Sequence, residues 1–268
     1  MKTIGVWDSG VGGLSVLRAL LSELPAERFV YVADSAYAPY GARSADSVTL
    51  RALAIAQALQ DWEPLDALVV ACNTATAGAI EALRQRFPAL PVVGIEPALK
   101  PAAQATHTGH VGVLATQGTL HSPRFAALMG RVREAFSDVS FSCQPCEGLA
   151  DAIEQGHEEQ VRALCETAWS SLQDPSGKPI DQLVLGCTHY PFAAPALHNV
   201  CGPGVTLVDP AQAVARQTRR VLGLPAAPHR TAPDQASMRW FATGSPLTLA
   251  RAARRWIDPL AVVEHLPA

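Results

Sequence analysis

Apolar residues in this chain fall into two patterns: short unbroken runs, and longer stretches that recur every three to four positions. The runs include Ile4-Gly5-Val6-Trp7, Phe29-Val30-Tyr31-Val32, Leu68-Val69-Val70-Ala71 and Leu183-Val184-Leu185. They lack the alternation of a half-exposed strand and read as strands buried on both faces of a parallel sheet. They predict strands over 3–7, 29–33, 67–71 and 91–95 in the first part, and over 110–114, 138–142, 182–186 and 205–208 in the second. Helical periodicity fits 13–23, 45–60, 76–86, 122–135, 148–153, 158–172, 211–221 and 246–256. In the last of these Ser245 is placed to cap and Pro246 to take the first helical position. Strands alternating with helices predict the α/β class with mostly parallel sheets.

The two parts echo one another. Ile4-Gly5-Val6 is matched by Val111-Gly112-Val113, an offset of 107 residues (111 − 4). Asp66-Ala67-Leu68-Val69 precedes Cys72 as Asp181-Gln182-Leu183-Val184 precedes Cys187, with a common offset of 115 (187 − 72 and 181 − 66). Gly94-Ile95-Glu96-Pro97-Ala98 is matched by Leu207-Val208-Asp209-Pro210-Ala211, 113 residues on (207 − 94). A diverged repeat with small insertions accounts for the drifting offset. The expectation is two similar three-layer α/β lobes related by a pseudo-two-fold axis, with the active site in the cleft between them. The first lobe takes residues 1–97 and 210–268, and the second 98–209. The Pro- and Ala-rich segment 224–235 reads as a loop within the return to the first lobe.

Composition narrows the function. The chain has 268 residues and a formal charge of −3, with no basic footprint for nucleic acid. Without about 18 uninterrupted apolar residues, no membrane span is expected. The start, Met1-Lys2-Thr3-Ile4-Gly5-Val6, runs straight into a strand with no signal-peptide core. A cytoplasmic location with reduced cysteines follows. Lysine occurs only at 2, 100 and 178, each at the terminus or beside prolines, so a Schiff-base lysine for pyridoxal phosphate is not expected.

Cys72 and Cys187 each end an apolar run, each followed by hydrogen-bonding residues and a predicted helix. A single buried cysteine at a strand end is ordinary core. Two at matching places are not, because thiols on opposite sides of one carbon form a two-base device, one removing a proton and the other returning it. Asp8 is placed to assist Cys72, and His189, two residues after Cys187, to assist that thiol. Glu154 is placed to reach the same side, or else to end its helix in solvent. The loop Asp8-Ser9-Gly10-Val11-Gly12-Gly13 opens the first helix but has Ser15 where a dinucleotide fingerprint needs glycine. It suits a small carboxylate ligand whose ammonium faces Asp8, or else a tight turn capped by Asp8. Strand ends in open α/β sheets gather ligands, so Tyr40 and Gly41 in the next loop are placed to offer a hydroxyl or a backbone N–H, or else form a rigid turn. Cys143-Gln144-Pro145-Cys146 lacks the second pair that a zinc site needs and reads as structural, as do Cys165 in a helix and Cys201 in a loop.

Taken together, Asp8-Ser9-Gly10-Val11-Gly12-Gly13-Leu14-Ser15-Val16, Pro39-Tyr40-Gly41, Ala71-Cys72-Asn73-Thr74-Ala75-Thr76 and Gly186-Cys187-Thr188-His189-Tyr190-Pro191 resemble the glutamate racemases in order and spacing. The resemblance implies interconversion of L- and D-glutamate without a cofactor or metal, supplying D-glutamate for peptidoglycan, with homodimers common in the family. It implies catalytic roles for Cys72 and Cys187 assisted by Asp8, Glu154 and His189. It implies substrate contacts at Asp8, Ser9, Tyr40, Gly41, Asn73, Thr74, Thr116, Thr188 and His189. Glu154 is matched by its distance of 33 residues (187 − 154) from Cys187, in a stretch that lacks the family's usual apolar, proline-containing run and also holds Glu147 and Asp151. The resemblance does not extend to the N-terminal extension that some members carry for control by a cell-wall precursor, so it implies nothing about such control. Racemisation of aspartate or a related acid keeps the thiols and changes the pocket. A non-catalytic binding protein for a small acidic ligand needs neither thiol.

Overall fold

The strand β1 (Thr3–Asp8) is buried along nearly its whole length, as a run without alternation requires. In this computed structural model, which describes residues 1–172, 177–225 and 238–267, β1 sits inside a six-stranded parallel sheet. Chain order then gives α1 (Leu14–Glu23), β2 (Arg28–Ala33), α2 (Ala45–Trp62), β3 (Ala67–Val70), α3 (Asn73–Arg86) and β4 (Val92–Gly94). Next come α4 (Leu99–Ala105), β5 (His110–Ala115), α5 (Gln117–Leu120), α6 (Pro123–Ala135), β6 (Ser140–Pro145), α7 (Leu149–Gln155), α8 (Glu158–Ser170), β7 (Gln182–Gly186), α9 (Ala194–Cys201) and β8 (Thr206–Val208). The chain closes with α10 (Ala211–Val221), β9 (Met238–Ala242), α11 (Pro246–Trp256) and β10 (Val263–His265). It divides into two compact units, Met1–Ile95 with Ala211–Ala268, and Glu96–Pro210. No helix among the described residues is long and apolar enough to cross a membrane.

Each unit is built on one parallel sheet. The first has the order β10-β9-β2-β1-β3-β4 and the second β6-β5-β7-β8. The four strands that open each unit therefore follow one plan. Their registers agree as well. Ile4 lies opposite Ala67 in the first sheet and Val111 opposite Gln182 in the second, and the sequence offsets of 107 and 115 carry the first pair onto the second. In the second unit, helices cover both faces: Leu149, Ile153, Cys165 and Leu197 pack on one side, and Leu99, Ala102, Phe125 and Met129 on the other. That makes three layers.

The matched aspartates fasten the strand starts. Asp66 accepts from the Thr3 N–H and the Lys2 ammonium, each at 2.8 Å. Asp181 accepts from the Thr106 hydroxyl at 2.5 Å, the His107 N–H at 2.6 Å, and the Thr108 hydroxyl and N–H at 3.1 and 3.2 Å. Each ties the strand before the thiol to the entry of the central strand beside it. Asp181 is partly buried, which works to raise its pKa, but the hydrogen bonds outweigh this and hold it below the usual carboxylate range.

Several elements differ from expectation. β6 runs over Ser140–Pro145 rather than 138–142, so Cys143 lies on a sheet-edge strand. Residues i and i+3 of an extended strand are about 10 Å apart, beyond the roughly 7 Å that a disulfide can span. α4 was not expected because Pro101 falls within it; proline in a first turn removes an N–H that has no helical partner there. α3 starts at Asn73 rather than 76, which puts Cys72 at its N-cap position. Cys187 is followed not directly by an α-helix but by the 3-10 turn Tyr190–Ala193 and then α9, whose last residue is Cys201, so Cys201 is helical rather than in a loop. Ser245 precedes α11 at the capping position but makes no side-chain cap bond. Most of the predicted loop over 224–235 lies outside the described residues.

Candidate active site

In the first unit the residues after β1, β2, β3 and β9 share the carboxyl end of the sheet, where open α/β sheets expose loops and helix N-termini. Asp8, fully buried at the end of β1, spends both oxygens on the glycine loop: Oδ1 accepts from the Ser9 N–H at 2.7 Å and Oδ2 from the Gly13 N–H at 2.6 Å. The approach requires glycine at 13. A Cβ there would lie 2.7 Å from the Asp8 Cβ and 2.9 Å from the Tyr31 hydroxyl, which itself donates to the Gly10 carbonyl. The capped turn is thus real, and it is what aims Asp8.

Cys72 follows β3 and is 5% exposed. Its Sγ lies 3.6 Å from the Ser9 hydroxyl, and that hydroxyl lies 3.4 Å from Asp8 Oδ1. Burial and then the Asp8 charge push the thiol well above its ordinary pKa, against the Ala75 N–H at the start of α3 and the Ser9 hydroxyl. Cys72 therefore rests as a thiol at neutral pH. The turn that carries it is braced by Thr76, whose hydroxyl donates to the Val70 carbonyl at 3.3 Å and accepts from the Ile95 N–H at 3.1 Å. Asn73 is 4% exposed, and both polar atoms of its side-chain amide are buried without a hydrogen-bond partner. Thr74, half-buried beside it, has partners.

Tyr40 takes the rigid-turn alternative: its hydroxyl donates to Asp34 at 2.5 Å, and its ring packs edge-on against Trp7 with centroids 6.1 Å apart. Burial first, and then the Asp34 charge, raise its pKa. The sequence reading missed Asp34. That carboxylate is fully buried and also accepts from Arg51 Nη2 at 2.8 Å, Arg51 Nε at 3.1 Å and the Thr243 hydroxyl at 2.7 Å. Removing one partner of a buried, hydrogen-bonded ion pair costs about 3–5 kcal/mol, so the loop it holds is firmly built. An aspartate immediately after a buried strand, with an arginine on the next helix, is the signal that was available. Gly41 follows Tyr40 in a short 3-10 turn.

The second unit sets its thiol differently. Cys187, 7% exposed, follows β7, and its Sγ lies 3.8 Å from His189 Nδ1. His189 Nε2 lies 3.0 Å from Glu154 Oε2. An ionised carboxylate only accepts, so Nε2 carries the hydrogen and Nδ1 presents its lone pair to the thiol. This carboxylate–imidazole–thiol line can take the proton from Cys187 and stabilise the thiolate. Glu154 lies on α7; of its acidic neighbours, Asp151 pairs with Gln155 and Glu147 is exposed. Thr188 is 4% exposed and has partners. Thr116 caps α5 through Thr119, its hydroxyl 2.9 Å from that of Thr119. Cys146 is buried and its carbonyl accepts from the Tyr190 hydroxyl at 3.4 Å. No group of three or more His, Cys, Asp or Glu side chains with metal-binding geometry occurs among the described residues.

The structure thus brings Asp8, Ser9 and Cys72 together in one unit, and Glu154, His189 and Cys187 together in the other. Comparison with known proteins adds relatives. The Asp/Glu/Hydantoin racemase family matches residues 4–218. A glutamate racemase of Ectopseudomonas mendocina is 49% identical over 240 residues, covering 88% of each chain. One of Stutzerimonas stutzeri is 44% identical over 267 residues, covering 99% of this chain and 97% of its own. Among solved structures, the Escherichia coli glutamate racemase in complex with L-glutamate and the activator UDP-MurNAc-Ala superposes with a TM-score of 0.84 at 32% identity, covering 99% and 98% of the two chains.

Proposed function

Because the chain belongs to the Asp/Glu/Hydantoin racemase family, we propose that it is a glutamate racemase that moves the α-proton between Cys72 and Cys187 without a cofactor. The observation that carries this reading is the pair of dissimilar thiol settings, each complete in its own unit: Cys72 with Ser9 and Asp8, Cys187 with His189 and Glu154. In the proposed cycle one thiolate takes the α-proton of glutamate and the other thiol delivers its proton to the opposite face. The reverse reaction exchanges the roles. His189 holds the proton of Cys187 while that residue waits as a base. Asp8 raises the proton affinity of Cys72, which suits it to donate, and meets the substrate ammonium. The unpartnered Asn73 amide, with Ser9, Thr74, Thr116, Thr188, His189 and the backbone at Tyr40–Gly41, would hold the carboxylates.

The supporting relatives are named for glutamate over nearly their full length, whereas the family as a whole also spans aspartate and hydantoins. One methylene in a pocket is worth only about 1–3 kcal/mol, so selectivity belongs to the assay. D-Glutamate for peptidoglycan, a cytoplasmic location and a homodimer are part of this reading. Light scattering checks the last. The direct test is the optical activity of L-glutamate and of L-aspartate incubated with purified protein and no added cofactor. Glutamate should lose its signal far faster, and Cys72→Ala and Cys187→Ala should each abolish the loss. Racemisation of aspartate alone would move the specificity, and retained turnover in either variant would overturn the two-thiol mechanism. Ligand binding with no turnover would favour a binding protein.

A further inference from the structure

The loop that carries Tyr40 and Gly41 is not held by its own neighbours alone. Thr243, just past the end of β9, reaches it from the last part of the chain. The Thr243 hydroxyl accepts from the Ala36 N–H at 3.2 Å and donates to Asp34 Oδ1 at 2.7 Å. A hydroxyl has one hydrogen, so this group is used as donor and acceptor together. Next to it the Gly244 N–H donates to the Ser35 hydroxyl at 3.2 Å. Gly244 also lies so close that a Cβ there would sit 2.8 Å from Ser35 Oγ and 2.9 Å from the Ala36 nitrogen. Asp34, gripped in this way, is the acceptor that fixes the Tyr40 hydroxyl, and the guanidinium of Arg51 on the same carboxylate stacks 3.6 Å from the Tyr37 ring centroid.

From these contacts we infer that Thr243 is a positioning residue: through Asp34 it sets the place of Tyr40 and Gly41, and with it the fit of the substrate. It touches no reacting atom. The inference rests on the reading that this loop binds glutamate, given above. Four donors converge on one buried carboxylate. Losing the Thr243 hydroxyl takes one of the two donors from Asp34 Oδ1, which keeps only Arg51 Nη2, and leaves the Ala36 N–H without this acceptor, so the loop settles elsewhere while both thiols keep their partners. The cost falls on binding rather than on proton transfer.

The test compares Thr243→Val, which keeps the shape and deletes the hydroxyl, with Thr243→Ser, which restores it. KM and kcat for L- and D-glutamate are measured with Cys72→Ala as a control. Thr243→Val should raise KM about three- to ten-fold in both directions with kcat within about two-fold, the size of one lost hydrogen bond. Thr243→Ser should return to the parent values. Gly244→Ala, which presses on the same loop without removing a hydroxyl, should raise KM in the same sense and carries the test should the valine variant fail to fold. An unchanged KM in the folded variants, a fall in kcat alone, or a serine variant as impaired as the valine one would overturn the inference. An active Cys72→Ala would instead show that the active-site reading itself had failed.

Discussion

The two thiols differ in what surrounds them, and the difference has consequences residue by residue. Cys72 sits beside a carboxylate and Cys187 beside an imidazole. Asp8→Asn removes the charge that helps hold Cys72 above its ordinary pKa, so a larger fraction becomes thiolate near pH 8. Alkylation of Cys72 by iodoacetamide, followed by peptide mass spectrometry, should then speed up while racemisation falls. An unchanged or slower reaction would contradict the assigned cause. Glu154→Gln no longer forces the hydrogen onto Nε2 of His189, since an amide both donates and accepts. A loss of at least about ten-fold in kcat/KM is expected, since removing the carboxylate that orients an imidazole costs from roughly ten-fold at metal sites to roughly 10⁴-fold in a catalytic triad. L- and D-glutamate have equal free energy, so kcat/KM must fall equally in the two directions. Any asymmetry between the thiols can surface only in kcat and KM taken separately.

At the scale of elements, the sequence motifs sort into those that touch chemistry and those that hold it still. Thr76 closes the Ala71–Thr76 motif by joining the ends of β3 and β4 through one hydroxyl. Thr76→Val should lose about 1–3 kcal/mol in urea unfolding, because the Ile95 N–H is left buried and unpaired. A change below about 0.5 kcal/mol would mean that water replaces it. The inner strands were legible because β1, β3, β5 and β7 are buried on both faces and so carry unbroken apolar runs. The edge strand β6 was legible only with shifted bounds, since it mixes Ser, Cys and Gln with one Phe, and β9 and the three-residue β10 went unpredicted. The thiols stood out as candidates because they recur at matching strand ends, Asp8 because it is a carboxylate at the end of a buried strand, and His189 because it follows Cys187 by two residues. Tyr40 stood out as a candidate, but its hydrogen bond did not, because it depends on Asp34, a contact across a loop that periodicity does not encode. Thr243 was invisible for the same reason. It lies 209 residues from Asp34 in sequence, and only the pairing of β9 with β2 brings it there.

At the scale of the whole molecule, the repeat is the organising fact. The same four-strand order and the same register recur in both units, each with an aspartate fastening the entry to its central strand and a cysteine at the far end of the next. What diverged is the setting of the thiols, and a racemase needs that divergence less than it needs the shared plan, since its two products are mirror images. The anchors also set the response to acid. Asp181 is held below the usual carboxylate range in the fold, so its contribution to stability is present above the unfolded-state value of about 4 and is lost as pH falls through the lower, folded one. Asp181→Asn should therefore be less stable than the parent at pH 7, and the gap should close in acid. A gap that stayed constant down to pH 2 would show that the charge is not the source.

The central claim is that two separate thiols act on one α-carbon. It is tested most directly by early-time turnover of L-glutamate in deuterated water, with the two enantiomers separated before mass analysis. The account predicts that D-glutamate carries deuterium from the first turnovers while the remaining L-glutamate stays unlabelled, because the proton taken by one thiol is not the one given back by the other. Deuterium entering the remaining L-glutamate as fast as it appears in D-glutamate, or product that keeps the substrate's own proton, would point to a single base and contradict it.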